Sequence, residues 1–330
     1  MIEEAMAAYG LAGHPYARRA LNPFTQAQDK DLTCLVDGWR TAAEVGTFLA
    51  GRAAAKKPAL VVIAGGSGTG RTSLAHYLIH KWASGRETAA GVNFSPGNLA
   101  IACGRITGYA EDEQFWKWVL ELRPQIEDAG CALNEVAEEA FDALEAQMPV
   151  AMEAALRKTL RKVVNDLYGK QWALAGIIED VKTRKFVAMA TASFKFVDSL
   201  LVMTVDDTTG NFDSVLSNVE SALDSEASRL VKLGELDGSE AWEVILTRWT
   251  KHTSDPAAPL PFTEESIEKG FNGRRRPVAR ILKLMERLLT LKARNGGDSD
   301  RWPHAQHLKF ADDEIAKTVT ILDSWLDEGT

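Results

Sequence analysis

At 330 residues with 45% apolar content, the chain can hold two domains or one domain with additions, and a charged fraction of 25% without long Gly, Ser or Pro tracts excludes extended disorder. A net charge of −8 argues against a surface that binds nucleic acid over its whole extent. The start, MIEEAMAAYG, lacks a basic-then-apolar leader, no apolar run approaches a membrane span, and Cys34, Cys103 and Cys131 fit neither a disulfide framework nor a zinc cluster, so the expected location is the cytoplasm with the cysteines as packing residues.

Residues 1–36 read as an N-terminal arm. Its stretch from Tyr9 to Gln28 contains His14-Pro15, Arg18-Arg19 and Asn22-Pro23-Phe24, and the prolines predict extended structure. After Asp37-Gly38, Val45, Phe48 and Leu49 recur at helical spacing, which predicts a helix from about Thr41 to Ala55.

The run Leu60, Val61, Val62, Ile63 reads as a buried parallel strand, followed by Gly65, Gly66, Ser67, Gly68, Thr69, Gly70, Arg71, Thr72 and Ser73 leading into a helix. This is the pattern of a phosphate-binding loop. Glycines let successive backbone N–H groups point inward, the following helix adds the positive end of its dipole, and the Thr72 hydroxyl is placed for Mg²⁺. Arg71 stands where a lysine usually reaches the β- and γ-phosphates; it keeps the charge but is planar and bulkier, so ATP binding is a safer expectation than hydrolysis. On the helix itself, Thr72 to Trp82, His76 and His80 are four apart, but no third ligand accompanies them, and one partly buried and one exposed histidine are expected rather than a metal site.

Asn98 to Thr107 supplies a second strand. From Asp112 to about Gly169 the pattern is helical throughout, an insertion of the kind that carries specificity and the expected site for a protein partner. Two later segments, Trp172 to Asp180 and Leu200 to Asp207, read as strands with acidic ends. Either could supply the carboxylate that holds Mg²⁺ through water and a second one that orients the attacking water. Residue type favours Asp206-Asp207; the count of elements before the last strand favours Glu179-Asp180 for Mg²⁺, with Asp180 as the ligand beside Thr72, and Asp206-Asp207-Thr208 as a γ-phosphate sensor.

A helix from Asn211 to Ala227, a strand from Arg229 to Leu233 and a helix from Ser239 to Thr250 capped by Ser239 or Asp237 follow. The tail then has helices at Thr263 to Lys269, Pro277 to Arg294 and Asp312 to Trp325, with Asn295-Gly296-Gly297 as a stop. Four short helices after a nucleotide fold have the form of a lid. Trp116, Trp118, Trp172, Trp242 and Trp249 are expected in cores. Between Glu111 and Val150 there are 11 acidic and 2 basic residues, and between Phe271 and Arg294 there are 8 basic and 1 acidic; solvated helix faces explain this better than complementary surfaces. The basic run Arg274-Arg275-Arg276 with Arg280, Lys283 and Arg287 could meet DNA phosphates, but no helix-turn-helix or aromatic interleaving indicates DNA binding.

With these pieces in place the chain resembles the AAA+ ATPases, in particular the branch of origin-recognition proteins and bacterial transposition helpers, from about Asn22 to Arg294. The match comprises the phosphate loop, NPF followed by DGWRTAAEV with Gly38, Arg40 and Glu44, the segment SRLVKLGELDGSEAWEVIL, and GRRRPVARIL. The resemblance implies an α/β P-loop NTPase of AAA+ type, with a parallel sheet core over 37–236, a large helical insertion at about 112–170 and a helical lid and C-terminal helices over 237–330. It implies an ATP–Mg²⁺ switch that forms a homo-oligomer, with Arg229 inserted into a neighbour's site and Arg276, or next Arg275, reaching the nucleotide from the lid. With Arg71 in place of lysine and Glu-Asp in place of Asp-Glu, slow hydrolysis is expected. A weakly hydrolysing nucleotide-binding scaffold is the alternative, and a small-molecule kinase a more distant one.

Overall fold

The structure, a computed structural model, describes residues 6, 9–16, 19–34, 36–88, 94–95, 97–105, 111–146, 152–206, 212–221, 223, 226–253, 260–295, 310 and 312–327. The chain divides into two compact units. One comprises Met1–Arg40, Gly68–Gly70 and Gly234–Thr330, the other Thr41–Ser67 and Arg71–Leu233.

The second unit is built on five parallel strands, β1 (Ala59–Gly65), β2 (Leu99–Arg105), β3 (Ala173–Glu179), β4 (Leu200–Asp206) and β5 (Ser228–Leu233), in the order β2-β3-β4-β1-β5. β1 is buried along its whole length, as a β-branched apolar strand covered on both faces must be. The register pairs Gly65 with Asp206 on one side and with Leu233 on the other, so the loop after β1 emerges beside the acidic end of β4. Parallel strands need crossovers, and helices supply them.

Helix α1 (Gly38–Ala54) leads into β1, and α2 (Arg71–Glu87) follows it. Four helices, α3 (Glu111–Leu120), α4 (Leu122–Asp128), α5 (Glu135–Glu145) and α6 (Met152–Gly169), fill the connection from β2 to β3. They bury Phe115, Trp118, Phe141, Leu156, Leu160 and Val163 in one core with the sheet. Trp118 lies flat on two strands because they carry no side chain there: a Cβ would come within 2.3 Å of its ring at Gly104 and 2.8 Å at Gly176. β2 is an edge strand, and Gln125 from α4 covers it. Its amide accepts from the Cys103 N–H at 2.7 Å and donates to the Cys103 carbonyl at 3.3 Å, which satisfies edge groups otherwise open to pairing.

Between β3 and β4 runs α7 (Arg184–Phe194), a helix absent from the sequence reading. The Thr183 hydroxyl caps it at the Phe186 N–H, and Phe186, Val187, Ala190 and Phe194 form its buried stripe. α8 (Phe212–Glu220) is shorter than the expected Asn211 to Ala227. Asp207, Thr208 and Asn211 lie outside the described residues, as do Gly296 and Gly297.

The first unit is helical: α9 (Gly238–His252), α10 (Glu264–Phe271), α11 (Val278–Asn295) and α12 (Asp312–Asp327). Of the two candidate caps for α9, Asp237 serves, in a capping box with Glu240. The arm belongs to this core rather than running free of it: Tyr9, Leu11 and Tyr16 are buried with Trp249, Phe262 and Ile281. Where extended structure was expected the arm folds back on itself, entering a 3-10 turn at Ala27–Leu32, because Asp29, 0% exposed, draws in the Arg19 guanidinium and accepts from the Asn22 N–H at 2.7 Å. Trp118 and Trp249 are buried and Trp116, Trp172 and Trp242 pack partly buried against the cores. Cys131 is buried and Cys34 half-buried, whereas Cys103 is exposed and so is not the packing residue expected.

Candidate functional site

The loop from Gly65 to Ser73 turns β1 into α2. Gly68 and Gly70 adopt φ of +79° and +97°, values that residues with a Cβ rarely accept, so the two glycines supply the turn; in a phosphate-binding loop such a turn aims successive backbone N–H groups at the ligand. Ser67 is exposed, Thr69 buried, and Gly66, Arg71, Thr72 and Ser73 are half-buried. The tip, Gly68–Gly70, is counted with the first unit. There the Gly68 carbonyl accepts from the Ala279 N–H at 3.0 Å, and Gly70 faces the Trp39 indole and Val278.

Arg71 opens α2, and its guanidinium crosses to β4: Nη2 donates to Asp206 Oδ2 at 2.7 Å, in a pair 14% and 17% exposed. Nη1 of the same group is buried and has no hydrogen-bonding partner among the described residues. Thr72 turns to β3, its hydroxyl donating to Glu179 Oε1 at 3.3 Å. The strand order explains why both contacts exist. β4 lies next to β1 and β3 next to β4, so their C-terminal ends stand in a row in front of the loop.

Asp180, the residue after β3, has φ of +61°. Aspartate tolerates this left-handed conformation better than most residues. Its N–H donates to Thr204 Oγ1 at 3.4 Å, and its carboxylate is paired with Arg105 from the end of β2, a contact that raises the Arg105 pKa through the hydrogen bond from Arg105 to Asp180 and the carboxylate's charge. The carboxylate expected beside Thr72 was that of Asp180; the geometry instead puts Glu179 there, because the turn in backbone after β3 sends the next side chain toward β2.

Arg229 lies at the other end of the sheet, level with Val61 rather than with Gly65. Its guanidinium stacks 3.9 Å from the centre of the Phe48 ring and donates to the Ser228 carbonyl at 2.7 Å. Arg276 is 4% exposed, its backbone bridges to Leu236, and its guanidinium lies over the Phe271 ring and donates to the carbonyls of Phe271 and Arg274. Arg275, the next choice, is tied to the Glu235 carbonyl and to Glu240. Gly38 opens α1, with Arg40 and Glu44 exposed along it, and His76 and His80 are both half-buried. Sequence reasoning missed Arg105. An arginine closing a strand beside an acidic strand end was the available signal.

The group as a whole can hold a polyphosphate by backbone N–H groups, with one arginine nitrogen in reserve. A hydroxyl and a carboxylate side by side, Thr72 and Glu179, form an oxygen donor set that fits a hard divalent cation.

No protein-family model matches the chain, and no curated protein does. Among solved structures it is similar to the ORC2 protein of Aeropyrum pernix in ADPNP–ADP complexes, with TM-score 0.60 and 11% identity over 95% of this chain and 73% of that one. It is also similar to the ADP form of the same protein, with TM-score 0.52 and 12% identity over 84% and 67% of the two chains. Drosophila ORC bound to DNA follows with TM-score 0.51 and 11% identity over 92% and 67%. At such identities the likeness shows the fold alone, and with the strand order it makes the chain an α/β protein that shares the fold of these structures.

Proposed function

We propose that the chain is an ATP–Mg²⁺-dependent switch that hydrolyses slowly and assembles with further copies of itself. The observation that carries this reading is the row of side chains in front of the phosphate loop: Arg71 with Asp206, and Thr72 with Glu179. The inward N–H groups of Gly66 to Thr72 would hold the phosphates, and Thr72 and Glu179 would hold Mg²⁺. When bound, the ion neutralises phosphate charge as the transferred group departs. Asp180 is the carboxylate left to orient a water molecule, one residue beyond Glu179 and turned from it by its left-handed backbone. Arg229, at the opposite end of the strands from its own loop, is proposed to serve a neighbouring copy. Helices α3–α6 are proposed to face a protein partner, a reading supported by Val136 and Tyr168, large apolar side chains 52% and 44% exposed on that insertion.

Molecular mass in solution without nucleotide, with ADP and with ATP–Mg²⁺ tests the assembly. A multiple of the monomer mass with ATP–Mg²⁺ is expected; an unchanged mass despite measurable ATP binding would remove the role of Arg229 in a neighbour's site. A second reading, a scaffold that binds nucleotide and scarcely turns it over, is favoured by the ion pair between Arg105 and Asp180, which engages the water-orienting carboxylate.

A further inference from the structure

Resting on the nucleotide reading above, we infer that Asp206 is a positioning residue that makes arginine, and not lysine, the working residue at position 71. The guanidinium of Arg71 is held along one edge: Nη2 donates to Asp206 Oδ2 at 2.7 Å, and the pair is largely withdrawn from solvent. Its other terminal nitrogen, Nη1, is buried without a partner among the described residues, and Arg71 itself is the first residue of α2, the helix that follows the loop. A planar fork with separated nitrogens can serve two anions at once, one per edge. A lysine ammonium is a single point. With Asp206 in place, the register of Gly65 with Asp206 keeps that carboxylate beside the loop, and an ammonium there is drawn to the carboxylate in competition with the phosphate. Arg71 and Asp206 are therefore a matched unit, and the departure of the loop from the usual lysine is compensated at the end of β4.

The assignment predicts a coupling that neither residue has alone. Four proteins are compared for Mg²⁺-dependent binding of a fluorescent ATP analogue and for ATP turnover: the parent chain, R71K, D206N and R71K/D206N. R71K binds about tenfold more weakly than the parent, the loss of one charge-assisted contact. In R71K/D206N, where the ammonium has no competing carboxylate, affinity returns to within about threefold of the parent. This rescue is the readout a merely structural ion pair would not move. Equal effects of R71K in both backgrounds, or R71K binding as tightly as the parent, would overturn the proposal. Should D206N not fold, Asp206→Ser completes the same cycle. Absence of binding in all four proteins, the parent included, has a different signature: it refutes the nucleotide reading and this inference with it.

Discussion

Replacing Gly68 by alanine tests whether the shape of the loop, rather than its charge, makes the site. Two costs can be worked out separately. At φ of +79° an alanine pays about 1–2 kcal/mol for the left-handed conformation. Its Cβ would also stand 2.9 Å from the Cβ of Ala279, which is closer than real Cβ atoms approach, and Ala279 cannot withdraw without lengthening its 3.0 Å hydrogen bond to the Gly68 carbonyl. Weakening that bond adds about 1 kcal/mol, for roughly 2–3 kcal/mol in total.

The assays are urea unfolding followed by tryptophan fluorescence and titration with a fluorescent ADP analogue. The expected outcome is a lower unfolding midpoint together with a loss of affinity of about tenfold or more, since N–H groups displaced by a fraction of an ångström no longer converge on one phosphate. Ala279→Gly in the G68A background should recover the contact cost of about 1 kcal/mol while leaving the backbone cost in place. Affinity and midpoint both indistinguishable from the parent in G68A would refute the reasoning, because neither cost could then be real.

Three further outcomes follow from single contacts. Arg105→Ala releases Asp180 and should raise ATP turnover by about tenfold with little change in ATP affinity; unchanged turnover in a steady-state assay would remove Arg105 as a restraint. Asp198→Ala strands Arg86, whose side chain is 4% exposed, bonds Asp198 three times at 2.7–3.0 Å and sits over Trp82; losing the partner of so buried a charge should cost about 3–5 kcal/mol in urea unfolding, and a cost under about 1 kcal/mol would mean that the cation finds other compensation. Burial pushes the Asp29 carboxyl up, but the Arg19 and Asn22 hydrogen bonds outweigh it and hold it below the usual range. A depressed carboxylate contributes stability that is full above its unfolded value of about 4 and is lost as pH falls through the folded value, so proteolysis of the arm should rise in that acid window and Asp29→Asn should flatten the profile.

Much of the fold was legible because its signals are local. The apolar run before Gly65, the glycine spacing and the arginine at a helix start locate β1, the loop and α2 without reference to anything distant. The insertion was legible through helical periodicity alone. The arm was not. Its prolines predicted extension, and the burial of Asp29 under Arg19 depends on a fold-back that no periodicity encodes. α7 was missed although RKFVAMATASF contains strong helix formers: Val, Thr and the two Phe blur the helical signal, and its helical state is fixed by a Thr183 cap and by burial of Phe186 and Phe194 in the core shared with the insertion.

The roles of the carboxylates show most sharply where local reading ends. Glu179, Asp180 and Asp206 are indistinguishable in sequence as acidic residues closing apolar strands, and residue type alone would have given the metal position to an aspartate. What separates them is the neighbour each strand acquires. β4 lies between β1 and β3, so Asp206 meets the arginine of the loop. β3 stands one place further out, and Thr72 reaches its last residue, Glu179. Asp180, one residue on and left-handed, falls toward β2 and Arg105. Two arginines thus divide two aspartates between them, and the glutamate remains for the threonine. That division requires only the strand order and one unusual backbone angle.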